Sequence, residues 1–339
     1  INELGLPVVA HTKSCEQCTK YKRPVGSHSG PVSFNKAAME EYDEMLEGQH
    51  NPSARMILEY RGWQKAVSSL YLPMLEKVGP DGFIRTEFKQ HGTVTGRLSA
   101  ANPNLQQIPR GSIKVWNGDA KSAFVSGRPE YKLIGWDYSQ IELRLAAAYG
   151  QEAVLLTEFE SPEADPFRVL APIIFGEFTP ETRQDTKTFV YANLYGAGLD
   201  KIAATLGRSR DSVEPLYRNY QNGIPGITRV SSQVATLMLQ RGFIRYWDGR
   251  RRHIRDKSKA YKSWNSLIQG GAAQLTKKAM LRCREFENDE CFMVLTVHDE
   301  ITFVIREDKI PYYEPLIIEA MTDWPDFGVN LAVEGKEWK

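Results

Sequence analysis

Apolar and polar positions along this chain follow two different periods. Between Pro52 and Val78, apolar residues stand at 56, 57, 60, 63, 67, 70, 74 and 78. That spacing of three and four predicts one long helix, with Pro73 as the place for a kink. Lys132–Trp136 is a short apolar run ending at Asp137, and an Ala/Leu-rich stretch follows it as far as Gly150. A strand and then a helix are predicted there. Thr179–Gly196 is punctuated at both ends: Thr179 can cap, Pro180 suits the first helical position, and Gly196-Ala-Gly198 can end the helix. Phe292–Val297 and Ile301–Ile305 are β-rich runs flanking His298-Asp299-Glu300, which predicts a tight hairpin. Residues 8–35 have no period and read as a linker, and Gly92–Pro109 reads as turns. Strands that end in carboxylates, separated by a long helical insertion, give an α+β domain interrupted by a helical one.

Composition adds little until it is read locally. The 339 residues are 42% hydrophobic and 25% charged, a length for two or three substructures around a sizeable core. No apolar run approaches the roughly 18 residues of a membrane span, so no membrane partner is expected. The first residue is Ile1, which reads as the start of a fragment or a processed chain. A formal net charge of +1 argues, in bulk, against nucleic acid as a partner. The sum hides an asymmetry, however. Arg241–Lys262 holds six Arg and three Lys against Asp248 and Asp256, a net of +7. Glu285–Lys339 holds fourteen acidic and four basic residues, a net of −10. One reading is a pair of solvated faces; the other is a polyanion track beside an acidic region that holds metal.

Four cysteines are too few for a disulfide scaffold and point to a reducing interior, hence the cytoplasm. Cys15-Glu-Gln-Cys18 has metal-knuckle spacing, with His11 and His28 nearby, but no second such pair follows, and a plain polar loop is the expectation. Cys283 and Cys291 read as small buried hydrophobes.

The candidate chemistry begins with two carboxylates. Asp137 at a strand end and Asp299 at a hairpin tip would place acidic ligands on rigid sheet elements. Two such groups, with substrate phosphates, can hold two Mg²⁺ for an in-line phosphoryl displacement. In the helix from Thr179, Arg183, Lys187, Tyr191 and Tyr195 recur every four residues and share one broad stripe. Cations near the positive helix end suit a triphosphate, and the aromatics suit a base and sugar. A surface helix with a mixed face is the competing account.

These residues carry a resemblance. Asp137-Tyr-Ser-Gln-Ile-Glu142-Leu-Arg is similar to the first palm motif of family A DNA polymerases. Arg183-x3-Lys187-x3-Tyr191-x3-Tyr195-Gly resembles their fingers helix, and Val297-His298-Asp299-Glu300 their second palm motif. Thr95-Gly-Arg97-Leu-Ser, Asn102-Pro-Asn-Leu-Gln-x-Ile-Pro109 and Asn265-x3-Gln269-Gly match further stretches, all in family order from Leu4-Gly-Leu-Pro7 to the C-terminus. The resemblance implies a right hand with a helical thumb (1–80), an antiparallel-sheet palm (81–140 and 283–339) and mostly helical fingers (141–282).

It implies template-directed addition of dNTPs to a primer 3′ end, with two Mg²⁺ ions held by Asp137 and Asp299 and Glu300 as an auxiliary carboxylate. Arg183 and Lys187 would hold the triphosphate, and Lys187 could protonate the leaving group. Tyr195 would stack near the templating base, and Glu142 would reject a ribose 2′-hydroxyl. Ser139-x-x-Glu142 also reads as a capping box, a purely structural account of the same residue. Arg97, Asn265 and Gln269 would test pair geometry in the minor groove. Arg250, Arg251 and Arg252, within the basic run, would contact the phosphate backbone. His298 would either shape its turn or touch the primer.

Some positions depart from the family pattern. Tyr191 stands where Phe is common, a choice typical of phage replicases, and predicts ready dideoxynucleotide incorporation. Asp165-Pro166-Phe167 replaces the usual Asp-Ile-His, so that triphosphate contact is absent or supplied by Arg168. Gln274 stands where Asp is frequent. A viral source, action in a host cytoplasm, a monomer working with an unidentified processivity partner, and no proofreading or flap-nuclease region within this length complete the expectations. A single-subunit RNA polymerase and a catalytically dead primer–template binding module are the alternatives; Glu142 argues against the first, and retention of Asp137, Asp299 and Lys187 against the second.

Overall fold

The structure, a computed structural model, describes residues 39–40, 52–108 and 120–338. The Cys15/Cys18 knuckle and the 8–35 linker lie outside these. The described residues fall into two compact units, one drawn from Ile1–Arg85 and Ile108–Ala120, the other from Thr86–Gln107 and Lys121–Lys339.

In the first unit, α1 (Pro52–Ala66) runs through a π-helical turn at Val67–Tyr71 into α2 (Leu72–Leu75). The helix is where the apolar spacing puts it, and its irregular turn lies just ahead of Pro73, where the ring denies the ladder a donor. Ala54 and Met74 are buried, whereas Met56 and Tyr60 of the apolar stripe are exposed.

The second unit is built on a four-stranded antiparallel sheet. Short strands β1 (Glu87–Lys89) and β2 (Ser99–Ala101) form a ribbon. The main sheet contains β3 (Tyr131–Tyr138), β6 (Cys291–Val297), β7 (Glu300–Arg306) and β8 (Val333–Glu337), in the order β6-β7-β3-β8. Between β3 and β6 the chain forms α3 (Ile141–Gly150), α4 (Ala153–Glu158), α5 (Pro166–Phe175), α6 (Pro180–Leu194), α7 (Leu199–Leu206), α8 (Arg210–Gly223) and α9 (Pro225–Arg241). A hairpin of β4 (Phe243–Arg245) and β5 (Arg251–His253) follows, then α10 (Ser263–Cys283); α11 (Ile310–Thr322) lies between β7 and β8.

Burial explains why β3 and β7 pair centrally. Trp136 and Phe303 are essentially inaccessible and meet edge to face with ring centres 5.6 Å apart. α10 is buried along most of its length, from Trp264 through Ile268, Ala272 and Leu275 to Cys283, which requires apolar or small residues on more than one face. Cys283 and Cys291 are buried free thiols, each pushed up to about 12, chiefly by burial. Among the described residues, no helix is long and apolar enough to cross a membrane.

Candidate active site

Register brings the first two carboxylates together. Asp137, the penultimate residue of β3, lies opposite Glu300, the first residue of β7. Val297 pairs with Glu300, so His298 and Asp299 are the two residues of the hairpin turn. His298 is exposed and takes φ 58°, the left-handed conformation that two-residue hairpin turns require. Asp137 and Asp299 thus project from the same end of adjacent strands, although 162 positions separate them in sequence.

Arg97 is the cation that faces this centre. Its Nη2 donates to Glu142 Oε1 at 2.8 Å and to the Asp299 carboxylate at 3.2 Å. Burial works against its charge, but Asp299 and Glu142 outweigh that and hold the guanidinium above its ordinary value. Glu142 is 4% exposed, and its second oxygen accepts from the Tyr195 hydroxyl at 2.6 Å. Burial pushes the Glu142 carboxyl up, while Tyr195 and Arg97 pull it back. The capping-box reading of Glu142 is therefore overturned. The cap position of α3 is Gln140, left-handed at φ 50° and without a side-chain cap bond. Tertiary partners claim the carboxylate instead.

α6 presents its stripe to the same place. Thr179 caps the helix in a reciprocal bond pair with Thr182, and Pro180 occupies its first turn. Tyr191 and Tyr195 have ring centres 5.9 Å apart. The Tyr191 hydroxyl is pushed up by burial and then by the carboxylates of Glu142, Asp299 and Asp137. Tyr195 is shifted the same way by burial and by Glu142. Lys187 is exposed on the outer part of the stripe. Arg183 Nε donates to Asp165 Oδ2 at 2.6 Å, and its guanidinium lies 5.8 Å from the centre of the Phe167 ring.

That pairing accounts for one departure from the family pattern. Phe167, 2% exposed, packs with its ring centre 6.1 Å from that of Tyr191. It is wall rather than ligand, and Arg168 is exposed. Gln274 has a role as well: with its amide turned to suit both neighbours, it donates to Asp248 at 3.2 Å and accepts from Arg250 at 3.0 Å.

The three candidate arginines of the basic run, Arg250, Arg251 and Arg252, separate. Arg250 stacks over Tyr246 at 4.3 Å and donates to the Thr95 carbonyl at 3.2 Å, and Arg252 donates to the Val94 carbonyl. Gly96, at φ +86°, lies so close to the Arg250 guanidinium that a Cβ would overlap it, which explains the glycine of Thr95-Gly-Arg97. Two of the three arginines thus hold the turn that aims Arg97; Arg251 is exposed. Asn265 and Gln269 lie one turn apart on α10, and Asn265 Oδ1 is buried without a partner among the described residues. Gln106 is buried and donates to the Thr296 carbonyl of β6 at 3.0 Å, anchoring the Leu105–Gln107 turn to the sheet.

Glu300 does not share the solvent side of the site. It accepts from Trp338 Nε1 at 3.1 Å and Thr302 Oγ1 at 3.1 Å, and pairs with Lys121 at 3.2 Å. Lys121 and Trp338 are the functional candidates that sequence reasoning missed, since neither belongs to a motif. Among the described residues, no cluster of three or more His, Cys, Asp or Glu is arranged to hold a metal. The Asp137/Asp299 pair supplies hard oxygen donors of the kind Mg²⁺ accepts alongside substrate phosphates.

The α+β architecture is that of a polymerase domain. The POL domain of Pol1 from M. smegmatis, solved in complex with DNA primer-template and dNTP, superimposes with a TM-score of 0.82 and 27% identity, over 97% of this chain and 57% of that one. The sequence profile of DNA polymerase family A matches residues 15–339, and the chain belongs to that family. DNA polymerase I of Helicobacter pylori is 32% identical over 285 residues, 80% of this chain and 32% of the relative. DNA polymerase I of Chloroflexus aurantiacus is 31% identical, over 91% of this chain and 34% of the relative. The chain spans about a third of the length of these relatives. The family as a whole works with divalent metal.

Proposed function

We propose that this chain catalyses template-directed DNA synthesis, joining dNTPs to a primer 3′ end with release of pyrophosphate. The observation that carries the reading is the convergence of Asp137 and Asp299, at one end of the sheet, with the Glu142–Tyr195 pair and the cationic start of α6. Residues 81–140 and 283–339 act as palm, 141–282 as fingers and 1–80 as thumb, and the work is done in the cytoplasm, where DNA and dNTPs meet.

Asp137 and Asp299 would hold two Mg²⁺, and bound metal there would supply the positive charge that favours an ionised 3′-oxygen and offsets the charge of the leaving pyrophosphate. Arg183 exchanges Asp165 for the triphosphate, and Lys187, exposed one turn on, can give a proton to the departing oxygen. Glu142, fixed by Arg97 and Tyr195, stands as a bulky carboxylate against a ribose 2′-hydroxyl. Arg97 is the donor placed to probe the primer-terminal base pair, with Asn265 and Gln269 alongside. Arg97 would have to give up its bond to Asp299 for that carboxylate to take metal.

Primer extension with Mg²⁺ and dNTPs, rNTPs or ddNTPs tests this. The expected outcome is efficient dNTP and ddNTP use, rNTP use lower by at least a hundredfold, and loss of extension in Asp137→Ala and Asp299→Ala. Extension that survives Asp137→Ala would remove the metal assignment, and equal use of rNTPs would favour an RNA polymerase.

A further inference from the structure

We infer that Glu300, Lys121 and Trp338 form a charge-compensated seat beneath the two-aspartate centre, in which Glu300 positions Asp137 and Asp299 without ligating metal and Lys121 cancels its charge. The inference rests on the reading of Asp137 and Asp299 as the metal-holding pair.

The ladder makes the problem concrete. Asp137 and Glu300 are direct cross-strand partners. Such partners have Cβ atoms about 5 Å apart on one face of the sheet, where like charges destabilise the pair. The structure resolves the conflict by leaning Glu300 along β7, away from Asp137. Gly135 is opposite Thr302 in the next pair on the same face. A Cβ at Gly135 would overlap the Glu300 carboxylate, so only glycine leaves room for that lean.

Once there, Glu300 is fully occupied. Thr302 and Trp338 donate to Oε1, and the Lys121 ammonium lies 3.2 Å from Oε2. The pair is buried, with side chains 6% and 13% exposed. Lys121 also lies 4.0 Å from the centre of the Trp338 ring, so the indole receives the cation on its face while its N–H holds the anion. A buried carboxylate with this many partners is oriented, and its neighbours are oriented with it. Glu300 directly follows Asp299 in the chain, and its carbonyl accepts from Thr296 Oγ1 at 3.0 Å across the hairpin. Fixing Glu300 therefore fixes both the turn and the strand end opposite.

A neutral pair adds no net charge to the metal site, and that gives a test by sign. Glu300→Gln leaves an uncompensated ammonium near the centre and repels divalent metal. Lys121→Met leaves an uncompensated carboxylate and attracts it. The double variant restores neutrality. Mn²⁺ binding is followed by electron paramagnetic resonance on a dideoxy-terminated primer–template complex with dNTP, so that no turnover contributes, and melting temperatures confirm folding. Half-saturating Mn²⁺ is expected to rise roughly three- to tenfold in E300Q, fall by a similar factor in K121M, and lie within about twofold of wild type in the double. If K121M does not fold, K121Q, which keeps a hydrogen-bond donor, takes its place.

A double variant as weak as E300Q would make Glu300 a ligand and overturn the inference. Equal half-saturation in all four proteins would reduce the cluster to packing and overturn it too. Wild-type-like Mn²⁺ binding in Asp299→Ala would instead remove the two-aspartate reading on which the seat depends.

Discussion

Tyr191 differs from the phenylalanine common at its position by one oxygen, and burial first, then the carboxylates of Glu142, Asp299 and Asp137, push that hydroxyl further above its ordinary value. A protonated phenol in that place can offer the hydrogen bond that a substrate 3′-hydroxyl would otherwise make. Phe167 supports the ring from behind and brings no polar atom of its own. Wild-type protein is therefore expected to use ddNTPs nearly as well as dNTPs. Tyr191→Phe is expected to raise discrimination against ddNTPs about tenfold, the effect of one hydrogen bond of about 1.4 kcal/mol. Competition between labelled dNTP and ddNTP at one template position measures the ratio. Unchanged discrimination in Tyr191→Phe would assign selectivity to some other group.

At the scale of the element, α6 carries two cations in different states. Lys187 is exposed, whereas Arg183 is engaged by Asp165. Arg183 is 42% exposed at its side chain, so the ion pair is worth under about 1 kcal/mol and can be exchanged for a triphosphate. Asp165→Asn is expected to lower KM for dNTP by about two- to threefold with kcat little changed; a raised KM would show that Asp165 aims Arg183 rather than restraining it. The caps and stripe of α6 were legible because Thr179, Pro180 and the four-residue repeat are local signals. The same holds for β3, for the β6–β7 hairpin and for α3 up to Gly150. β8 was not legible: Val-Glu-Gly-Lys-Glu has neither alternation nor β-propensity, and it becomes a strand by pairing with β3. At Glu142 only the structural alternative failed, since a local capping signature lost to Arg97 and Tyr195, 45 and 53 positions away. Glu300 finds Lys121 at a separation of 179 positions, which no spacing rule reaches.

Over the whole molecule, a net charge of +1 conceals the distribution that matters for a polyanion. Within the Arg241–Lys262 run the structure separates two uses of positive charge. Arg245, Arg251 and Arg255 are exposed, whereas Arg250 and Arg252 are half-buried and hold the backbone of residues 94–95. Only the exposed set is free to release counterions from a phosphate backbone. Salt dependence separates the two uses. Each lost phosphate contact lowers the slope of log K against log salt by about 0.9. Arg245→Ala/Arg251→Ala is therefore expected to flatten that slope by nearly 2, read by anisotropy of labelled primer–template over a range of salt. Arg250→Ala removes as much formal charge per residue, yet is expected to leave the slope within about half a unit while slowing extension, because it releases the turn that aims Arg97. An unchanged slope in the double variant, or a full unit lost in Arg250→Ala, would mean that DNA lies along a different face.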